Sequence, residues 1–254
     1  MSISVVIPTL DEADQIVGAV ECALDPGAVT RGDGSDPGPG AGQGDGVEVV
    51  VVDGGSRDAT CRLAREAGAR VLELADGSPD GRGGRSLHGG RARQLRWGSE
   101  NTRGETLLFL HADTRLPAGW SQAVEAAMAD PACAGGAFAL RFAERGGWER
   151  WIEWWVARRV AIFGLPYGDQ ALFVRRRVLE QMGGVAIVPI MEDLDLVRGI
   201  KRAGRLAVLA GPATTSSRRY RDRGPIRTVF WHAMALIGYF VEADRAKLAA
   251  RMGR

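Results

Sequence analysis

The sequence is poor in cysteine, lysine and histidine, and it has no long apolar run. Cys22, Cys61 and Cys133 are odd in number and lack CxxC spacing, which excludes a disulfide framework or a zinc ribbon and leaves reduced thiols as the expectation. Lys201 and Lys247 are the only lysines, so the basic charge is almost all arginine. Arginine suits bidentate recognition of phosphate and carboxylate, although genomic base composition produces the same bias. Lys and Arg number 33 against 31 Asp and Glu, a net charge of +2, and that balance excludes nucleic-acid binding through bulk charge. No apolar stretch reaches the roughly 20 residues that span a bilayer. The start, MSISVVIPTLDE, has an acid where a secretory signal would continue its apolar run. A cytoplasmic protein is expected, with peripheral contact at the inner face of the membrane left open. Neither GxxxxGK[ST] nor a GxGxxG after the first strand occurs.

What is present is a soluble-globular composition, 45% hydrophobic and 25% charged over 254 residues, enough for one large α/β core. The chain is organised around Glu105 to Thr114, where a short buried strand runs into His111-Ala112-Asp113. Open α/β sheets bind ligands beyond the carboxyl ends of their strands, so Asp113 stands where a metal or polar ligand is held. Ile3 to Ile7 reads as a first strand stopped by Pro8, with Thr9 or Asp11 capping a helix from Glu12 to about Leu24. Asp25 to Gly46, dominated by Gly, Pro and Asp, reads as a flexible surface insertion. Val47 to Val52 is a second strand running into Asp53-Gly54-Gly55-Ser56, a ligand-facing turn in which Ser56 or Asp58 caps the next helix. That helix reaches about Ala67, and Ala69 to Leu74 follows as a third strand. After the Gly-rich loop Asp76 to Gly84, Gly89 and Gly90 precede a helix carrying Arg91, Arg93 and Arg96, whose N-terminus and guanidiniums suit phosphate.

Beyond the central strand, Pro117 opens a helix to Ala129, and Gly135 to Phe142 alternates as a strand does. Trp148, Trp151, Ile152, Trp155, Val156, Val160 and Phe163 recur at helical spacing. A core-facing stripe is the first reading of that face; a wall for an apolar acceptor or a membrane-surface face is the other. Tyr167 to Gln170 is a loop, Ala171 to Val174 a strand, and a short helix ends at Gly183-Gly184. Glu192 and Asp193 open a helix with Leu194, Val197 and Ile200 inward, as ordinary dipole compensation also would. Leu206 to Leu209 is the last strand, followed by Arg218, Arg219, Arg221 and Arg223 and an apolar segment from Phe230 to Val241. His232 lies in that segment and reads as a packed histidine.

VVIPTLDE, VVVVDGGSRDAT, GRARQLRWG, LFLHADT, GDQALFVRR and MEDLDL, in that order, resemble the family 2 glycosyltransferases of the GT-A fold over nearly the whole chain. GRARQ, HADT, YGDQ and SSRRY further resemble a bacterial subgroup associated with arsenosugar biosynthesis and radical-SAM proteins. The resemblance implies a single GT-A domain with a mostly parallel central sheet flanked by helices. Its parts would be a nucleotide-sugar half over 1–115 with the insertion at 25–46, an acceptor half over 116–215, and a basic turn and C-terminal helix over 216–254. It implies a metal-dependent, inverting transferase moving a sugar from a nucleoside-diphosphate sugar, a UDP-sugar or GDP-mannose first, to an acceptor hydroxyl. Pro8, Thr9, Glu12 and Gly54 would line the nucleotide pocket, with Asp53 accepting from the base and Arg91 and Arg93 near the diphosphate. His111-Ala112-Asp113 stands at the Asp-X-Asp position, with Asp113 ligating Mg²⁺ or Mn²⁺ and His111 replacing the first acid. Asp193 would be the base and Glu192 its orienting partner. Gly168, Asp169 and Gln170 would meet donor sugar or acceptor, and Arg218 and Arg219 would close over the diphosphate. A sugar nucleotidyltransferase or a non-catalytic nucleotide-sugar binder are the alternatives. The first normally carries a glycine-rich, arginine-bearing loop after strand one, which IPTLDEAD lacks.

Overall fold

The computed structural model describes residues 1–24, 46–74 and 90–251. The insertion (Gly46 apart), the Asp76–Gly84 loop, Gly89 and the side chain of Arg219 lie outside the described residues. The first half alternates strand and helix: β1 (Ile3–Thr9), α1 (Ala13–Ala23), β2 (Val47–Asp53), α2 (Thr60–Glu66), β3 (Arg70–Glu73), α3 (Gly90–Glu100) and β4 (Thr106–Phe109). A two-residue β5 (Thr114–Arg115), α4 (Trp120–Met128), β6 (Cys133–Phe142) and the tryptophan helix α5 (Gly147–Phe163) follow. A 3-10 turn (Gly168–Gln170) then leads to β7 (Leu172–Arg175), α6 (Arg176–Gln181), α7 (Glu192–Ala203) and β8 (Arg205–Thr215). The chain closes with α8 (Arg218–Arg223), α9 (Pro225–Phe240) and α10 (Arg245–Arg251).

The strands form one sheet in the order β3-β2-β1-β4-β7-β6-β8-β5. β1 pairs in parallel with β2 and β4, and β2 with β3. β7 runs antiparallel between β4 and β6, β8 runs parallel to β6, and β5 is antiparallel to β8. The inner parallel strands β1, β2 and β4 are largely buried on both faces, which is why they read as continuous apolar runs. Val5, Ile7, Val49, Val51 and Leu108 meet Ile16, Val20, Trp120 and Val124 on one side. Val6, Val50, Val52, Leu107 and Phe109 meet Leu95, Leu194, Val197 and Ile200 on the other, the two-residue period of a strand dividing them. Gly98 sets how deep α3 sits, since a Cβ there would collide with Val6 and lie 2.9 Å from Val52 Cγ2.

Several boundaries differ from the sequence reading, each for a local physical reason. β1 does not stop at Pro8 but runs through it to Thr9. Leu110 N–H donates to Val6 O at 3.0 Å, so alternate residues of β1 address the β4 side, and Pro8 faces that side beyond the last β4 pairing at Phe109. No ladder bond is lost there. α1 is capped neither by Thr9 nor by Asp11. Its first amides are held from the neighbouring loop, Glu12 N donating to Thr60 Oγ1 at 2.9 Å and Ala13 N to Asp58 Oδ2 at 3.1 Å. α4 begins at Trp120, not at Pro117. The stripe on α5 divides: Trp148, Ile152, Val156 and Val160 pack inward, whereas Trp151 and Trp155, with neighbouring Trp154, are about half exposed, at 53%, 52% and 50%. The C-terminal segment is three helices, with α9 longer than the Phe230–Val241 stretch and starting at Pro225.

Candidate active site

The site forms where β1, β2 and β4 release their chains. Asp53, 3% exposed, ends β2. Its Oδ2 accepts from Gly55 N at 2.8 Å and Ser56 N at 2.9 Å, and its Oδ1 from Ser56 Oγ at 2.5 Å and Thr9 Oγ1 at 3.4 Å. The carboxylate therefore turns into its own loop and shapes Gly54–Ser56. Gly54 N–H donates to Thr9 O at 2.9 Å, joining the ends of β1 and β2. The Asp11 carboxylate takes Arg57 N at 2.8 Å and Asp11 N donates to Ser56 Oγ at 2.9 Å, so both ligand-facing loops are one stitched ledge. Asp11 adopts a left-handed φ of 53° within it.

A second group gathers on the α7 side. Arg91, at the start of α3, reaches three partners at once. Its Nε is ion-paired with Glu192 Oε1, its Nη2 lies 3.9 Å from Asp193 Oδ2, and its Nη1 lies 3.0 Å from His111 Nε2. Arginine has no acceptor, so His111 Nε2 is the acceptor in that contact. Burial works against the Arg91 charge, and the Glu192 and Asp193 carboxylates outweigh it, holding its pKa above the ordinary arginine value. Asp193 Oδ2 accepts from Gly168 N at 2.9 Å, and Oδ1 from Leu194 N at 2.9 Å. A Cβ on Gly168 would stand 3.2 Å from His111 Nε2, 3.4 Å from Asp193 Oδ2 and 3.5 Å from Arg91 Nη2. Four residues from α3, the end of β4, the 3-10 turn and α7 thus converge on one point. Ala171 (φ 46°) and Met191 (φ 67°), which flank the turn and α7, are held in the left-handed region. Non-glycine residues persist there when surrounding structure over-determines them.

Asp113 is half-buried at the bend from β4 into β5. Its Oδ1 has only long contacts to Thr114 Oγ1 (3.4 Å) and Thr215 Oγ1 (3.5 Å), while its backbone O takes Ser216 N at 3.2 Å. Among the described residues no group of three or more His, Cys, Asp and Glu side chains gathers to hold a metal. That donor set fits an ion bound by one carboxylate together with phosphate oxygens and water, the usual habit of Mg²⁺.

Arg93 follows Arg91 by two positions, about 200° around α3. Arg96 pairs with Glu100 at 2.9 Å instead of meeting the site. Arg218 does come back across the ledge, its Nη2 lying 3.2 Å from Glu12 Oε2. Gln170 is buried, with Nε2 donating to Phe138 O at 2.9 Å and Oε1 accepting from Tyr167 N at 3.2 Å; it braces the turn that presents Gly168.

Two supports escape a motif reading. Gln94, inside GRARQ, donates through Nε2 to Thr9 O at 2.7 Å and Val52 O at 2.8 Å. Arg115 ties the bend to α1, donating to Ala112 O at 3.0 Å and Gln15 O at 2.9 Å. A polar residue on the inner face of a helix is the only sequence signal for the first. Gln94→Leu removes both bonds at about 1 kcal/mol each, so urea unfolding is expected to show a loss of about 2 kcal/mol; a midpoint unchanged within error would deny Gln94 this role.

A parallel nucleotide-binding-type half joined to an antiparallel half, with acids at the ends of β2 and β4 and at the start of α7, is the GT-A architecture of glycosyltransferases. Residues 4–174 match the profile described as Glycosyl transferase family 2. This chain belongs to that family. No curated protein matches it in sequence. Among solved structures it is similar to TarS of S. aureus (TM-score 0.59, 15% identity, 98% of this chain and 41% of that one). It is also similar to glucosyl-3-phosphoglycerate synthase of Mycobacterium tuberculosis, solved with Mn²⁺, uridine diphosphate and glucosyl-3-phosphoglycerate (TM-score 0.58, 18% identity, 96% and 81% covered). Mannosyl-3-phosphoglycerate synthase of Rubrobacter xylanophilus is a third (TM-score 0.58, 19% identity, 94% and 74% covered). The chain spans 41% and 58% of two TarS structures to which it is similar.

Proposed function

We propose that this chain transfers a sugar from a nucleoside-diphosphate sugar to an acceptor hydroxyl, with a divalent ion and with inversion at the anomeric carbon. The observation that carries this reading is the convergence of His111, Gly168, Asp193 and Arg91 around one point. Asp193 takes the proton of the acceptor hydroxyl as that oxygen bonds to the anomeric carbon. The bond from that carbon to the phosphate oxygen breaks on the opposite face, and the nucleoside diphosphate leaves with the electron pair. Glu192, fixed by Arg91, keeps the start of α7 in place and orients Asp193. Pro8, Thr9, Glu12 and Gly54 line the nucleotide side, and Asp53 serves the base through the loop it holds.

Asp113 would hold a divalent ion, which would supply positive charge where the leaving group gains negative charge. Arg91 and Arg218 add fixed cations near that diphosphate, and Gly168, Asp169 and Gln170 bound the sugar and acceptor. The uridine diphosphate and Mn²⁺ in the mycobacterial relative support a UDP-sugar and a divalent ion, and GDP-mannose is the other candidate donor. GRARQ, HADT, YGDQ and SSRRY support placement in the arsenosugar-associated subgroup. No helix among the described residues is long and apolar enough to cross a membrane. The exposed tryptophans of α5 and Ile226, Phe230, Met234 and Ile237 on α9 support peripheral contact at the cytoplasmic face of a membrane.

The reading is tested by thermal unfolding with UDP or GDP, with and without Mn²⁺. A nucleotide at 100 times its dissociation constant is expected to add about 2.7 kcal/mol of stability, and only when metal is present. No shift with either nucleotide under both conditions would sink it.

A further inference from the structure

A cavity of about 540 Å³ lies between α5, β6 and β8, away from the Asp53 ledge and bounded by Leu140, Val156, Ala157, Val160, Leu206 and Val208. Its volume is in the range of ligand sites, and its wall offers methyl groups. The polar side chains that reach it are engaged by backbone: Glu153 Oε1 accepts from Phe142 N at 2.7 Å, Lys201 Nζ donates to Phe163 O at 2.7 Å, and Gln170 Nε2 donates to Phe138 O at 2.9 Å. A ligand entering here meets apolar surface.

Two features connect this cavity with the reacting point. Gln170, at one edge, belongs to the turn whose Gly168 N–H binds Asp193. Lys201, also in the wall, follows Asp193 by eight residues on α7, about 12 Å along the helix. An acceptor with its hydroxyl at Asp193 therefore needs a chain of roughly that length to reach the cavity. The outer face of α5 carries half-exposed Trp154 and Trp155, with Arg158 5.1 Å over the Trp154 ring, the composition of a boundary between apolar and aqueous phases. Tyr220 of α8 packs on Phe142 and Trp148, so the C-terminal helices abut this region. Residues 218–251 hold eight Arg and Lys against three Asp and Glu, in a chain whose net charge is only +2. Arg218, Arg221, Arg245 and Lys247 are ion-paired with Glu12, Glu144, Asp195 and Asp244, and it is exposed Arg227, with exposed Arg158 of α5, that complements an anionic head group.

We propose that the acceptor is an amphiphile with an anionic head, and that the α5–β6–β8 cavity is the subsite for its apolar chain; this rests on the transferase reading above. The test uses the full chain and calorimetric titration with inorganic phosphate, butyl phosphate and octyl phosphate below its micelle concentration. Each methylene entering the cavity tightens binding roughly fourfold, so octyl phosphate is expected to bind on the order of a hundredfold tighter than butyl phosphate. Ala157→Trp, filling the cavity from an exposed helix position, and Val208→Glu, charging its exposed rim, are expected to cut that preference below about tenfold. Both should leave the UDP response with Mn²⁺ and the circular dichroism unchanged. Equal affinity for the two alkyl phosphates, or an undiminished preference in both variants, would overturn the proposal. So would a dimer in light scattering that Val208→Glu dissolves, which would assign the cavity to a second copy. A missing UDP response beside an intact chain-length preference would overturn the transferase reading instead.

Discussion

Asp193→Asn is expected to lower sugar transfer by about two to four orders of magnitude, the usual contribution of a positioned general base. The substitution keeps the side-chain shape, and the amide oxygen can still accept from Gly168 N, the bond that Asp193 Oδ2 makes at 2.9 Å. What it removes is the capacity to take a proton. Arg91 loses one of its carboxylate neighbours but keeps its ion pair with Glu192, so the fold and nucleotide affinity should persist. The measurement is single-turnover transfer to the acceptor, paired with UDP affinity in the same variant. Transfer within tenfold of the parent would remove Asp193 from the mechanism, and parallel loss of UDP binding would assign it to binding.

The second large effect belongs to Asp113. Among the described residues its carboxylate makes only hydroxyl contacts of 3.4 and 3.5 Å, at the outer limit of hydrogen bonding, whereas its backbone oxygen and that of Ala112 are held by Ser216 N and Arg115. Asp113→Ala should therefore leave the unfolding midpoint nearly where it was. If Asp113 holds the proposed divalent ion, its removal is expected to cost several kcal/mol of charge stabilisation, a loss on the order of a hundredfold or more in donor turnover. The Mn²⁺ dependence of nucleotide binding should vanish with it. Turnover that keeps its metal response in this variant would place the ion elsewhere.

Much of the architecture was legible in residue order because its causes are local. The β-branched runs at Ile3 and Val47 and the apolar run at Thr106 are largely buried and carry their acids or polar turns at the carboxyl end. The helices beginning near Ala13, Gly90 and Glu192 follow from apolar periodicity and polar first turns. The tryptophan helix was legible as a helix but not in its orientation. Ile152 and Val160 alone are buried among its apolar residues, and which stripe faces inward is decided by what packs beneath it.

The candidate site divides in the same way. Asp53, Asp113 and Asp193 could be picked out one at a time, as acids at strand ends or at a helix start. Arg91 meeting Glu192 across 101 residues of chain could not, nor could His111 facing a guanidinium, because no local pattern records a partner that distant. Caps show the point at small scale: Thr60 and Asp58 hold the amides that open α1, from a loop on another strand.

The amino-acid order by itself determined where strands and helices form and which acids stand at their ends, since backbone preference and two- or 3.6-residue periodicity depend on near neighbours. Tertiary structure decided which of those groups meet. Closing the sheet between β4, β7 and β6 brings α3, the 3-10 turn and α7 to one point. It also leaves the aromatic face of α5 outside. These outcomes depend on distances set by packing the whole sheet, and chain neighbours do not encode them.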